Sequence, residues 1–336
     1  MQTRKFKFTN KTVDYHFDAG FSEVKKLTDV KKAVVITDEN VFAQHQKKFN
    51  GWNTIVLKAG EQYKVQATVD SVIEQLIALK ADRQTTLVGV GGGVITDLTG
   101  YVASIYMRGV SFGFVPTTLL AMVDASIGGK NGIDVGVYKN MVGTINQPKF
   151  LLYDIGFLKS LPEKEWSNGF AEIIKHAAIK DAPMFKALEE KDLSFFRKNK
   201  SGLQKLIQRN ALIKTKVVIG DEFEKGDRKL LNFGHTLGHA LENQYDLMHG
   251  EAVAIGMTYA ASISSEMLGF KQVARLVLLL EKYGLPTSVG YNKKKVFEVL
   301  ASDKKKEADE MNYILLEKIG KAVIKKISLD QLYRLL

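Results

Sequence analysis

The feature that most constrains the fold is an apolar run that ends in glycines and passes directly into helical spacing. Residues 85–93, TTLVGVGGG, predict a buried strand and a tight loop, and residues 94–107 predict the helix that follows. Residues 32–40 predict an earlier strand, residues 53–64 predict a second strand that leads into a loop, and residues 68–81 have the apolar stripe of a helix. This alternation of strands and helices favours a mainly parallel sheet with helices on both faces.

The second half of the chain has a different pattern. From about residue 155 onwards, apolar residues recur at helical spacing, as in KEWSNGFAEIIKHAAIK and GEAVAIGMTYAASISSEML. We therefore predict an α/β domain over residues 1–155 and an all-α domain over residues 156–336. The boundary is expected near YDIGFLKSLP, where glycine and proline interrupt the pattern.

The composition excludes several kinds of site and protein. The 336 residues include no cysteine, which excludes disulfides, thiolate metal sites and a cysteine nucleophile. No apolar stretch reaches the roughly 20 residues that cross a bilayer, and the basic start lacks a signal-peptide core, so we expect a cytoplasmic protein. The net charge of +11 fits a lysine-rich surface or a phosphorylated, acidic small molecule, and no nucleic-acid motif accompanies it.

The glycine loop indicates a phosphate-binding site. Gly91, Gly92 and Gly93 stand between a strand and a helix, where the backbone comes close to a ligand and the helix offers free N–H groups. The pattern is neither GxGxxG nor a P-loop, and a purely structural turn is the alternative. Asp38, at the end of an earlier strand, is well placed to bind ribose hydroxyls.

The middle stretch, residues 116–143, is polar and rich in glycine. Such a long segment within a compact domain is more often functional than idle. Lys130 and Lys139 suit phosphate groups of a cofactor or substrate, and a solvated loop is the alternative. The other polar residues of interest there are Asp124, Asn131, Asp134 and Asn140.

Three of the six histidines lie close together in the sequence. His235 and His239 are four residues apart and share a helix face, and His249 follows after a break. Two histidines with one carboxylate would form a three-ligand metal site with open positions, which polarises a hydroxyl or carbonyl group. Histidines that are simply buried in the core are the alternative.

The carboxylate must come from another segment, since the histidines are not part of an HExxH motif. Glu172 is the best candidate, because it shares a helix face with Lys175 and His176. The residues alone leave open which two of these four histidines would bind the metal.

Several stretches together resemble the 3-dehydroquinate synthase family of sugar phosphate cyclases. They run in the family's order from about residue 35 to residue 320. They are GGGVITDLTGYVASIYMRG, VPTTLLAMVDASIGGKNGID, KNMVG, NGFAEIIKHAAI, DEFEKGDRKLLNFGHTLGHALE, HGEAVAIGM and SDKKK. The resemblance implies an NAD-binding α/β domain, a helical domain, a homodimer and one divalent metal ion, zinc or cobalt.

The resemblance also implies a reaction. A lyase of this family converts 3-deoxy-D-arabino-heptulosonate 7-phosphate into 3-dehydroquinate and phosphate, in the shikimate route to aromatic amino acids. The steps are a transient NAD-dependent oxidation, phosphate elimination, re-reduction, ring opening and intramolecular aldol closure. The alternatives are another cyclase, of the 2-deoxy-scyllo-inosose synthase type, or a metal-dependent polyol dehydrogenase.

The resemblance assigns roles to individual residues. The implied metal ligands are Glu172, His235 and His249, which leaves His239 to handle protons and His176 as a structural neighbour. Arg108 is implied to reach the active site of the partner subunit. The implied substrate-binding residues are Asp124, Lys130, Asn140, Lys175, Lys214, Arg228, Asn232, His239 and a lysine of the DKKK segment, Lys304 in preference to Lys305. The implied NAD-binding residues are Asp38, Asn40, Glu61, Lys64, Gly92, Gly93, Asp97, Thr117, Thr118, Lys130, Lys139, Ser160 and Glu165.

The chain departs from the family pattern at a few positions. Thr96 stands where glycine is common, Ser160 where threonine is usual, and VGTINQP replaces a version that contains an aromatic residue. None of these changes removes a metal- or substrate-binding group, so we interpret them as variation in packing.

Overall fold

The computed structural model describes residues 1–136, 138–302 and 310–336, and these divide into two compact units. The first unit comprises Met1–Glu165 and Gln204–Phe223, and the second comprises Trp166–Leu203 and Glu224–Leu336. The division therefore falls at Glu165 rather than at residue 155, and one later helical segment belongs to the first unit. Helical periodicity predicts such a segment but does not predict which unit it joins. In the structure, Thr215 of this segment donates a hydrogen bond to the hydroxyl of Tyr15 in the first unit.

The first unit is built on a seven-stranded sheet in the order β1-β2-β9-β6-β5-β3-β4. All neighbouring strands are parallel except β1 and β2, which confirms the predicted mainly parallel sheet. Every residue of β5 is buried, as expected for a strand with both faces covered. The strands of the sheet are β1 (Gln2–Lys7), β2 (Thr12–Phe17), β3 (Ala33–Asp38), β4 (Asn53–Leu57), β5 (Thr86–Gly91), β6 (Ser111–Pro116) and β9 (Phe150–Leu152).

The described residues of the first half of the chain also form three α-helices and a hairpin. The helices are α1 (Glu39–His45), α2 (Gln66–Ala78) and α3 (Gly93–Ile105). The antiparallel hairpin consists of β7 (Lys130–Val135) and β8 (Tyr138–Ile145). The hairpin lies beside the end of α3, because Thr144 donates a hydrogen bond to Ser104.

The second unit is mainly helical, as predicted. The remaining α-helices among the described residues are α4 (Glu163–Lys180), α5 (Ala182–Glu189), α6 (Leu193–Lys198), α7 (Lys200–Gly220), α8 (His235–Glu242), α9 (His249–Leu268), α10 (Val273–Lys282), α11 (Lys293–Ser302) and α12 (Leu329–Leu335). Most of α7 belongs to the first unit. Among the described residues, none of the helices combines the length and hydropathy that a bilayer crossing requires.

One feature of the second unit departs from the all-helical prediction. An antiparallel hairpin, β10 (Glu310–Lys318) and β11 (Lys321–Ser328), packs on α9 through the bond from the Leu316 amide to the Ser264 hydroxyl. Its first strand contains a short apolar run, and periodicity alone does not separate a buried strand from a helix in such a run.

Candidate functional site

The carboxyl ends of three parallel strands meet at one edge of the sheet in the first unit. The strand β5 pairs with β3 on one side and with β6 on the other, so Asp38, the last residue of β3, lies near Gly92 and Thr117, which follow β5 and β6. The strand order reverses between β3 and β5, since β4 lies beyond β3 and β6 lies beyond β5. Doubly wound sheets bind dinucleotides at such a reversal point.

The predicted phosphate loop has the local structure that its glycines suggested. Gly92 immediately precedes α3, and Gly93 is its first residue. The first N–H groups of α3 have no partner within the helix and can therefore donate to a ligand. Thr96, one of the departures from the family pattern, is buried and donates a hydrogen bond to the carbonyl of Gly93. Local packing and this hydrogen bond therefore accommodate the side chain of Thr96.

Asp38 has a structural role in addition to the predicted one. Its Oδ1 caps α1, accepting hydrogen bonds of 3.0 Å from the backbone amides of Asn40 and Val41. Burial raises the pKa of this carboxyl group, and the two amide bonds oppose the rise. Asn40 itself is exposed on α1, and Ser160 lies 2.8 Å from His45 at the other end of that helix.

A buried lysine joins predicted residues from separate segments of the first unit. The Nζ of Lys64 lies 2.6 Å from Oδ2 of Asp97 and 3.7 Å from Oε1 of Glu61. It also donates a 2.6 Å hydrogen bond to Oδ1 of Asn140. Burial raises the pKa of Asp97 to about 6, and the ammonium group of Lys64 limits that rise. The contact joins three predicted NAD-binding residues to a predicted substrate-binding one.

A second lysine of the first unit contacts a predicted substrate-binding carboxylate. Lys214, on α7, lies 2.8 Å from Oδ2 of Asp124 and donates a 2.9 Å hydrogen bond to the carbonyl of the same residue. Asp124 lies in a π-helical turn, Ala121–Ala125, a rare conformation that occurs frequently at functional sites. The remaining predicted residues of this unit are Thr118 after β6, Lys130 and Lys139 on the hairpin, and Glu165 on α4.

Two predicted residues of the first unit have strained backbones. Asn140 has a φ of 55° and Arg108 a φ of 68°, in the left-handed region that non-glycine residues rarely adopt. Such strain costs free energy and persists where the surroundings impose it, often at functional sites. Asp134 stabilises this backbone conformation of Asn140, because its Oδ1 accepts a 2.7 Å hydrogen bond from the backbone amide of Asn140.

In the second unit, three side chains from three helices converge. Glu172 of α4 is completely buried, and its Oε1 lies 3.5 Å from Nε2 of His235 and 3.6 Å from Nε2 of His249. Two ligands of one tetrahedral zinc ion, at bond lengths near 2.05 Å, stand about 3.4 Å apart. The separations and the chemistry of these donors therefore fit a divalent cation. Lys175, one turn along α4, forms an ion pair with Glu172.

Close helix packing produces this convergence. A Cβ on Gly250 would lie 2.6 Å from the carbonyl oxygen of Asn168, so the start of α9 can approach α4 only because that residue is glycine. Asn168 is one turn before Glu172. A Cβ on Gly256 would lie 1.9 Å from the carbonyl oxygen of Gly234, which brings α9 equally close to the start of α8.

The two histidines differ in their protonation. Burial, with the ammonium group of Lys175, holds the pKa of His235 well below its usual value, so its ring is neutral at pH 7. Burial also opposes protonation of His249, but hydrogen bonds to Glu172 and Glu242 outweigh it and raise its pKa to about 9. A metal ion would therefore find a free lone pair on the first ring and would displace a proton from the second.

His239 lies near these rings but outside the group around Glu172. Its ring centroid is 5.1 Å from that of His235 and 6.1 Å from that of His249. Its donor atoms instead group with those of Glu242 and His249. His239 is exposed whereas the Glu172 group is largely buried, which suits a proton-handling group more than a ligand of that group.

The structure gives positions for three other predicted residues of the second unit. Arg228 is buried in the 3₁₀ turn Asp227–Asn232, and Asn232 donates a 2.8 Å hydrogen bond to Glu224. His176 is buried on α4. Lys304 and Lys305 lie outside the described residues.

Sequence reasoning overlooked two carboxylates in this unit. Glu224 contacts Asn232 and has a φ of 58°, which no sequence pattern indicates. Glu242 contacts His249. The spacing of Glu242 offered a signal, because it follows His235 by seven residues and a helix returns to the same face at that interval.

Comparison with known proteins places the chain among cyclases. The family model for the 3-dehydroquinate synthase N-terminal domain matches residues 54–168, and the C-terminal model matches residues 169–306. The 3-dehydroquinate synthase of Campylobacter concisus is 40% identical over 316 residues, which cover 90% of each chain.

Solved structures of two other sugar phosphate cyclases have a similar fold at lower sequence identity. A 2-deoxy-scyllo-inosose synthase complexed with carbaglucose-6-phosphate, NAD+ and Co2+ has a TM-score of 0.88 and 26% identity, covering 99% of this chain and 98% of that one. A 2-epi-5-epi-valiolone synthase from Streptomyces hygroscopicus, with NAD+ and Zn2+ bound, has the same TM-score and identity and covers 100% and 98%.

Proposed function

Because this chain belongs to the 3-dehydroquinate synthase family, we propose that it is the lyase that converts 3-deoxy-D-arabino-heptulosonate 7-phosphate into 3-dehydroquinate and phosphate. The observation that carries the proposal is the convergence of Glu172, His235 and His249 within a chain that both family models match. Those three side chains supply a carboxylate oxygen and two imidazole nitrogens to a Zn2+ or Co2+ ion, the metals found in the related cyclases.

The first unit holds NAD+ in this proposal. The strand-end residues Asp38 and Gly92 lie at the switch point of the sheet, where the ribose and pyrophosphate groups of dinucleotides bind. The buried ion pair of Lys64 with Asp97 joins two further residues that we assign to NAD+ binding. When bound, NAD+ supplies a transient hydride acceptor and the divalent cation supplies Lewis acidity, so the overall reaction needs no external oxidant.

The side chains of the chain bind the substrate and move its protons. Arg228 and Lys130 suit the phosphate and carboxylate groups, as a bidentate donor and a point charge respectively. Lys175 balances the buried charge of Glu172. His239 is exposed and lies beside the metal-binding histidines, where an imidazole can accept or return a proton near neutral pH.

The proposal is tested by supplying the heptulosonate phosphate with NAD+ and Co2+ or Zn2+. We expect stoichiometric release of phosphate with no accumulation of NADH. Sustained growth of NADH would instead identify a polyol dehydrogenase. Release of phosphate from glucose 6-phosphate, but not from the heptulosonate phosphate, would identify a cyclase of the 2-deoxy-scyllo-inosose type.

A homodimer with shared active sites is part of the proposal. The turn that carries Arg108 follows α3, and the hairpin beside α3 exposes 64% of Met141 and 59% of Tyr138. Exposed apolar side chains on one region of a surface often mark a protein interface. The strained backbone of Arg108 fits a residue held outward towards a second subunit.

Subunit mixing tests the shared site. The Arg108→Ala and Lys130→Ala variants should each be nearly inactive alone. Mixed under conditions of confirmed subunit exchange, they should regain activity, because one of the two sites in a heterodimer then contains both side chains. Exchange without any regained activity would contradict the role of Arg108 in the partner's site.

A further inference from the structure

Glu242 contacts a proposed metal ligand from the side opposite to the metal. It is the last residue of α8, its side chain is 10% exposed, and its Oε2 lies 3.3 Å from Nδ1 of His249. The other ring nitrogen of His249, Nε2, lies 3.6 Å from Oε1 of Glu172. The two nitrogens of one imidazole therefore face two different carboxylates.

The chemistry of these groups decides which nitrogen carries the hydrogen. An ionised carboxylate only accepts hydrogen bonds, so Nδ1 of His249 donates to Glu242. A neutral ring held in this way has its lone pair on Nε2, directed towards Glu172. Fixing the tautomer and the orientation of a metal-binding histidine is the role that outer carboxylates commonly have.

The second histidine of the group is held in the same way. Nδ1 of His235 lies 3.3 Å from the carbonyl oxygen of Phe233, which also only accepts, and Nε2 again faces Glu172. Both rings thus have an acceptor behind Nδ1, a backbone carbonyl for one and a side chain for the other. Only the second acceptor can be removed by substitution.

The ring of His249 is also less constrained by its surroundings than the ring of His235. It is the first residue of α9, and 27% of its side chain is exposed, against 12% for His235. Residues before His249 provide no preceding helical turn against which its ring could pack. Glu242 lies seven residues after His235, on the same face of α8, and so reaches the ring across the contact between the two helices.

We propose that Glu242 is a positioning residue for the divalent cation, acting through His249. The inference rests on the metal placement in the proposed function. The competing arrangement has Glu242 as a direct ligand, with His239 and His249, of a second ion. Because Nε2 of His249 faces Glu172, that ion would have to take Nδ1, the nitrogen already bonded to Glu242, and one of its ligands, His239, would be exposed.

Cobalt binding to the full-length protein tests this role without substrate. We expect Glu242→Ala to weaken Co2+ binding by about 10–100-fold, measured by chelator competition at a temperature where the metal-free variant remains folded. Glu242→Gln keeps an oxygen acceptor but loses the charge, so its loss should be smaller but measurable. The matched control is Glu266→Gln on the same bundle, an exposed carboxylate near the far end of α9, which should bind Co2+ like the parent.

A spectroscopic signature separates positioning from a general structural effect. In the Co2+-loaded parent, the Nδ1–H proton of His249 should give a paramagnetically shifted resonance that exchanges slowly with water, because Glu242 accepts its hydrogen bond. In Glu242→Ala that resonance should broaden or disappear, while the resonance of His235 remains. In Glu266→Gln both should remain.

Two results would overturn the inference. One is parent-like Co2+ affinity in Glu242→Gln, the isosteric variant that also serves if the alanine variant does not fold. The other is binding of two Co2+ ions per subunit in the parent, reduced to one in Glu242→Gln, which would make Glu242 a direct ligand. Because neither measurement involves turnover, a failed cyclase assay would leave this test intact, whereas unchanged Co2+ binding in His235→Ala would refute the metal placement itself.

Discussion

The two units build their candidate sites in different ways. In the first, the predicted residues follow the ends of parallel strands, so the sheet itself brings Asp38 and Gly92 to one edge. In the second, Glu172, His235 and His249 come from three helices that meet only because glycines allow close contact. Local sequence patterns predict which residues form a site at strand ends, whereas the residues that form a site between helices depend on how those helices pack.

The substitution with the largest predicted effect removes the metal site and leaves the proposed NAD+ site at the strand ends intact. His235→Ala should abolish both turnover and metal retention, because it takes away a neutral imidazole that faces Glu172. Binding of NAD+ to the same variant, measured by calorimetry, should persist because its residues belong to the other unit. A variant that keeps both its metal and its activity would contradict the ligand assignment.

The substitution with the next largest effect tests how strongly the stability of the first unit depends on the buried ion pair between Lys64 and Asp97. Lys64→Met leaves Asp97 buried without its ammonium partner, and should lower the free energy of unfolding by about 3 kcal/mol at pH 8. The matched control, Lys26→Met, breaks an ion pair with Glu23 on the surface and should change stability little.

The pH dependence of that variant has a definite sign. Beside Lys64, the pKa of Asp97 is already about 6, above its ordinary value of 3.8, and loss of the lysine raises it further. A carboxyl group whose pKa is higher in the folded state destabilises the protein above that pKa, and the penalty fades as pH falls through it. The stability difference between variant and parent should therefore shrink from pH 8 towards pH 5. A difference that grows on acidification would contradict this account.

The smallest effect tests the helix contact that aligns the metal site. Gly256→Ala places a methyl group against the backbone carbonyl of Gly234, so the helices must separate, at a cost of about 1–3 kcal/mol. Co2+ affinity should fall with it, because His235 begins the helix that is displaced. The control, Gly290→Ala in the same unit, meets no atom within 4 Å and should leave both stability and metal binding unchanged.

The sequence predicted the local parts of this molecule better than the assembled ones. The strand, glycine loop and helix over residues 85–107 were predicted from spacing alone, and the structure confirms them as β5 and α3. The strand β10 was missed because a short apolar run fits either a helix or a strand.

The metal site shows the limit of prediction from sequence patterns. His235 and His239 share a helix face by spacing, yet the structure places His249 rather than His239 next to Glu172. That choice depends on the packing of α9 against two other helices, through contacts at Gly250 and Gly256 that no spacing rule predicts. The resemblance to the family supplied the pairing in advance of the geometry.

X-ray absorption at the metal edge of the Co2+-loaded protein tests the central claim most directly. The scattering pattern of imidazole rings counts the histidines bound to the ion. The proposed site predicts two histidines with one carboxylate oxygen from Glu172, and the same count in His239→Ala. Three histidines in the parent, falling to two in His239→Ala, would contradict the division between metal ligands and the proton-handling histidine.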